Sequence, residues 1–129
     1  MRRDVAEVFL ALALAAVTSA SATAKAVSPP PPHALLTGLP YHALAIAEGA
    51  LAVMLCTKWR RLAASVIVLM AMAGVALAYL WPYRACGCFG SIIALERDGH
   101  VMLASACGLS AITVIGFASG RAKCGAPGR

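Results

Sequence analysis

The sequence predicts an all-α membrane protein: one domain, residues 1–129, built as a bundle of four transmembrane helices with both termini in the cytoplasm. Three observations lead there. The 129 residues are 61% hydrophobic and only 12% charged, with a mean hydropathy of +0.82. A soluble domain carries about 25% charged residues, so this chain has too few to coat a water-facing surface. That speaks against a soluble enzyme, and a chain so apolar is not disordered. Second, the apolar residues fall into four runs, at about 20 residues per crossing enough to use up the chain. Third, the basic residues gather at the ends of those runs, which marks orientation rather than nucleic-acid binding.

The elements follow in order. Helix one is expected over about 6–27, an Ala-rich run that turns polar at Thr18, Ser19, Ser21 and Thr23. A cleaved signal peptide competes for this stretch. Arg2 and Arg3 would be its basic start and Ser21-Ala22-Thr23-Ala24 its small-residue cleavage site, removing residues 1–24. Either way the next loop lies outside the cytoplasm. That loop, 28–40, contains four consecutive prolines from Pro29 to Pro32, a stiff extended spacer. Helix two is expected over 41–57. After the basic connector Lys58-Trp59-Arg60-Arg61 comes helix three, over 62–82, whose core carries no charge. A longer loop then leads to helix four over 100–119 and a basic, Gly-rich tail. Small residues four apart, at Ala45/Gly49, Gly74/Ala78, Ala104/Gly108 and Gly116/Gly120, permit close helix packing.

Orientation comes from counting Lys and Arg. Arg2, Arg3, Lys58, Arg60, Arg61, Arg121, Lys123 and Arg129 fall on one side, against Lys25, Arg84 and Arg97 on the other. The positive-inside rule assigns the first set to the cytoplasm. The localisation expected is a bacterial inner membrane, crossed several times, with the loop after helix three on the periplasmic side.

That loop holds the residues with the clearest chemistry, Cys86-Gly87-Cys88-Phe89-Gly90. A disulfide across a single residue meets normal bridge geometry only with backbone strain, and glycine best accepts it. Strained bridges are oxidising and exchangeable, and disulfides persist outside the cytoplasm. The pair therefore reads as catalytic, in a thiol–disulfide oxidoreductase sense. A soft-metal site and an inert pair stay open beside it. Cys56, Cys107 and Cys124 are single and are expected to behave as small apolar residues, with Cys107 best placed to join the loop pair.

Glu48 is read as the one acidic residue well inside an apolar run. A charge at the centre of a membrane helix costs about 2.5–3.5 kcal/mol on insertion scales, so it needs a partner or a task. Lys25 and Arg84 are the candidate partners, and proton acceptance is the candidate task. His33, His42 and His100 are expected at the outer interface, where His100 is placed to assist thiol deprotonation. Tyr79, Trp81, Tyr83 and Phe89 suit an aromatic belt. The sequence contains no P-loop, HExxH or GxSxG motif.

The string Cys86-Gly87-Cys88-Phe89-Gly90 after a third helix resembles the MauE family of methylamine-utilisation proteins, small four-helix membrane proteins grouped with DoxX-like redox-associated proteins. Lys25 at the end of the first helix, Leu39-Pro40 before the second, and Ala47-Glu48-Gly49 with Leu51 agree with it. The resemblance spans about 25–117. It implies disulfide formation or maturation in an exported partner, for named members the small subunit of methylamine dehydrogenase. On it, Cys86 and Cys88 are the exchanging pair and Glu48 is a family position of unknown task; Gly87, Phe89, Gly90, Lys25 and His100 are, with Glu48, the candidate supporting residues. Electrons would pass to a membrane quinone or a thioredoxin-like protein, though neither acceptor is written in the sequence.

Three other functions compete. Thiolates prefer soft ions such as mercury or copper, and Cys86, Cys88 and Cys107, with Cys56 or Cys124 further in, would form a metal relay in a transporter. A proton-coupled transporter would use Glu48 and dispense with the cysteines. A structural accessory subunit would need neither.

Overall fold

A computed structural model of the protein describes residues 2–30, 37–81 and 97–124. Four α-helices follow one another: α1 (Arg2–Val27), α2 (Leu39–Leu55), α3 (Arg60–Leu80) and α4 (Arg97–Cys124). There is no strand among the described residues. Each helix packs on its chain neighbours and α4 returns to α1, so the four close into a ring. One end gathers the start of α1, the α2–α3 turn and the end of α4, and with them most of the Lys and Arg. We call it the basic end. The other, the far end, holds the end of α1, the start of α2, the end of α3 and the start of α4.

Most boundaries lie two or three residues from those predicted. The larger differences are at α1 and α4, which run beyond their apolar stretches to Arg2 and Cys124. Lys and Arg are good helix formers, so a helix continues where hydropathy stops. Cys124 thus closes α4 rather than lying in a tail. α2 starts two residues early. Gly38 before it has φ 64° and ψ −135°, a backbone conformation that favours glycine, and Pro40 is in the first turn, where its missing N–H costs nothing. α3 ends at Leu80 because Trp81 precedes Pro82, and a residue before proline is driven out of the helical region; Trp81 has φ −128° and ψ 68°.

Three helices, Val5–Val27, Arg60–Leu80 and Asp98–Phe117, are long and apolar enough to cross a membrane; Leu39–Leu55 is apolar but shorter. Large apolar side chains face outward all round, among them Phe9, Ile46, Leu69 and Met102. A helix apolar on every side belongs in lipid or in a large core, and this bundle has no larger core to offer.

The interior is small-residue packing. Leu14, Ala15, Leu51, Leu55, Ala63, Ala64, Ile67, Ala111 and Val114 form its centre. α3 and α4 approach closely at two steps: a Cβ built on Gly108 would stand 3.3 Å from that of Ala71, and one on Gly74 would stand 4.0 Å from that of Ala104. Gly49 faces Ala22 at 3.9 Å, whereas Gly116 meets nothing within 4 Å. Of the four predicted small pairs, three therefore supply a residue to a helix contact, and α4 beyond Gly108 relies on Ala111 and Val114 instead.

Candidate functional site

The buried face of α1 repeats every seven residues: Glu7, Leu14 and Ser21 form one row, Ala11 and Lys25 lie on the adjoining one. Tyr41, Glu48 and Leu55, with Ala45 and Ala52, make the matching stripe on α2. A seven-residue repeat keeps one seam facing a neighbour along the whole helix. Ser21 and Lys25 of α1 and Glu48 of α2, three of the polar residues on these stripes, are thereby turned toward the same seam.

They meet there. The Lys25 ammonium donates to Glu48 Oε1 at 2.8 Å, to Glu48 Oε2 at 2.7 Å and to Ser21 Oγ at 2.7 Å. Ser21 Oγ donates in turn to Glu48 Oε2 at 2.8 Å. The ammonium has an acceptor for each of its three protons, and the carboxylate accepts on both oxygens. Lys25 is 1% exposed, Ser21 7% and Glu48 8%. A buried ion pair is tolerable only when its hydrogen bonds are complete, and here both charged groups are bonded on every polar atom.

Helix geometry explains the meeting. Side chains lean toward the N-terminus of their own helix. α1 and α2 are antiparallel, so Lys25, in the last turn of α1, leans inward from the far end. Glu48, at the middle of α2, leans outward toward it. The Ala22–Gly49 contact sets the register that makes the two directions converge.

Other polar residues of α1 do not join the cluster. Thr18 donates to Leu14 O at 2.9 Å, Thr23 to Ser19 O at 2.8 Å and Ser28 to Ala24 O at 2.6 Å. A hydroxyl bonded back to its own helix needs no external partner, so the polar end of α1 is compatible with an apolar setting.

A second buried carboxylate was not expected. Glu7, 2% exposed, lies at the start of the seam, and Arg60 Nη1 reaches it at 3.2 Å. Glu48 is therefore not the only buried acid, although it is the one well inside its apolar run, Glu7 standing at the edge of another. Hydropathy hides Glu7 because it stands beside the basic N-terminal residues. The seven-residue spacing to Leu14 and Ser21 is the signal that exposes it.

Among the described residues Tyr41 is the largest fully buried side chain, and its hydroxyl has no hydrogen-bond partner there. It stands seven residues before Glu48 on the same stripe and stacks edge-on against the neighbouring His42 ring. His42 is exposed and His100 is half-buried in the first turn of α4. Tyr79 and Trp81 are exposed at the end of α3.

The single cysteines behave differently from one another. Cys107 is half-buried against the central cluster, as a small apolar residue would be. Cys56 is exposed at the C-cap of α2, which corrects the expectation of burial: the helix has ended there and the chain is turning toward Lys58. Among the described residues no three of His, Cys, Asp and Glu come together. Cys86, Gly87, Cys88, Phe89 and Gly90 lie outside the described residues, as do Arg84, Tyr83 and His33. The chain enters that segment from Trp81 and leaves it at Arg97, both at the far end.

No family model, curated protein or solved structure matches the chain.

Proposed function

We propose that the protein is a four-span integral protein of a bacterial inner membrane that exchanges disulfides with an exported partner. In this reading both termini are cytoplasmic, α2 crosses as a short fourth span, and Cys86 and Cys88 are the exchanging pair. The observation that carries it is the glycine-spaced cysteine pair in the sequence between α3 and α4, two helices whose facing chain ends lie opposite the basic end. The contact between Lys25 and Glu48, both positions of the MauE resemblance, supports it further.

The chemistry balances as an exchange. A partner thiolate attacks one sulfur of the Cys86–Cys88 bridge, giving a mixed disulfide and a free thiolate. The partner's second thiolate then displaces the attacked cysteine. The partner gains a disulfide and Cys86 and Cys88 become thiols. Their two electrons and two protons leave to an acceptor of quinone or thioredoxin-like class, to which the reading assigns no binding residues. The resemblance makes the disulfide-rich small subunit of methylamine dehydrogenase the first partner to try.

Thiol trapping in membranes tests this. Alkylation before and after reduction is expected to show Cys86 and Cys88 linked, and Cys86→Ser to lower the disulfide content of the partner. Sulfurs that are never linked, or a partner indifferent to Cys86→Ser, would sink the reading.

A further inference from the structure

α2 is the weakest span of the bundle. It has 17 residues where a crossing takes about 20, and it carries a carboxylate at its middle. Nothing on α2 neutralises Glu48, since the helix contains no basic residue other than His42, which is exposed and lies at its first turn. The counter-charge comes from the preceding helix, together with the Ser21 hydroxyl that completes the carboxylate's hydrogen bonds. α1 and α2 are joined by only 11 residues, 28–38, so the two partners meet as soon as both helices exist. The Ala22–Gly49 approach brings the backbones close at this level, and the bonds that join Lys25 and Ser21 to Glu48 all run between α1 and α2.

We propose that α1 and α2 enter the bilayer as one charge-matched hairpin, with Lys25 the counter-ion without which α2 does not hold a membrane-crossing position. The proposal rests on α2 being a span, as read above, and is independent of the cysteine chemistry. It also predicts an asymmetry. Lys25, in the last turn of α1, can extend its long side chain toward water when Glu48 is lost. Glu48, short and central, has no such route when Lys25 is lost.

The test uses full-length chains in membranes with a single reporter thiol. Native Cys56 is exposed just after α2; Leu39→Cys, at a position 84% exposed, reports the other end. The remaining cysteines are replaced by serine, and a membrane-impermeant maleimide is applied to vesicles of each orientation. In the parent chain the two reporters label from opposite sides. Lys25→Met is expected to raise same-side labelling about a hundredfold or more, the scale of breaking a buried pair, and Glu48→Gln to raise it less. The neutral double variant Lys25→Met/Glu48→Gln and the reversed pair Lys25→Glu/Glu48→Lys are expected to restore opposite-side labelling. Lys25→Met behaving like the parent overturns the proposal alone. So does a neutral double variant as defective as Lys25→Met, because the loss is then not one of charge matching. Parent reporters on one side overturn the four-span reading as well.

Discussion

Glu7 and Lys25 occupy the same buried seam of α1, about 27 Å apart along its axis, and each holds an opposite charge from a different helix. Glu7 takes Arg60 of α3 near the basic end, and Lys25 takes Glu48 of α2 toward the far end. α1 is thus pinned to two neighbours by two ion pairs of reversed polarity. The pairs are not equivalent. Arg60 is about one-third exposed while Glu7 is sealed, so the first is open to solvent on one partner. Lys25 and Glu48 are both enclosed.

That difference predicts how the first pair fails. Arg60→Ala takes the guanidinium away from the buried Glu7 carboxylate and is expected to cost about 1–3 kcal/mol. Arg60→Ala/Glu7→Gln should recover much of the loss. Unfolding midpoints in detergent measure both. Equal stability of Arg60→Ala and the parent would show that water replaces the guanidinium.

For the second pair, a double-mutant cycle with Lys25→Met and Glu48→Gln should give a coupling of at least about 2 kcal/mol, since each single change strands a buried charged partner. An additive cycle would mean that the two groups do not interact in the folded protein.

Gly108 and Gly116 should respond oppositely to added bulk. Leucine at Gly108 must displace Ala71 and is expected to destabilise by about 1–3 kcal/mol. Gly116→Ala meets open space and should be neutral or stabilising by up to about 1 kcal/mol from helix propensity. The same melts read both.

Tyr41→Phe removes a buried hydroxyl that has no partner among the described residues and keeps the ring that fills the seam. It is expected to leave stability unchanged or raise it by about 1 kcal/mol. A loss larger than that would reveal that the hydroxyl is bonded in the membrane.

The helices were legible in the sequence because hydropathy and punctuation act locally. Pro82 stops α3, Gly38 and Pro40 start α2, and the apolar run between Arg61 and Trp81 admits one structure. The candidate site was half legible. Glu48 stood out because a carboxylate in an apolar run is costly wherever it lies. Glu7 did not, since beside Arg2, Arg3 and Asp4 it reads as part of a polar terminus. The exposure of Cys56 was missed because a helix end was placed two residues late.

What sequence alone determined is that this chain makes four apolar helices and that its charges collect at one end, since residue type and order along a line decide both. Which charges face each other was decided only by tertiary structure. From the sequence Glu48 had two candidate partners, Lys25 and Arg84, and the bond to Lys25 is the one the described residues show. The antiparallel register of α1 on α2, set where Ala22 meets Gly49, selects one pairing because a side chain leans toward its own N-terminus and reaches only what lies there.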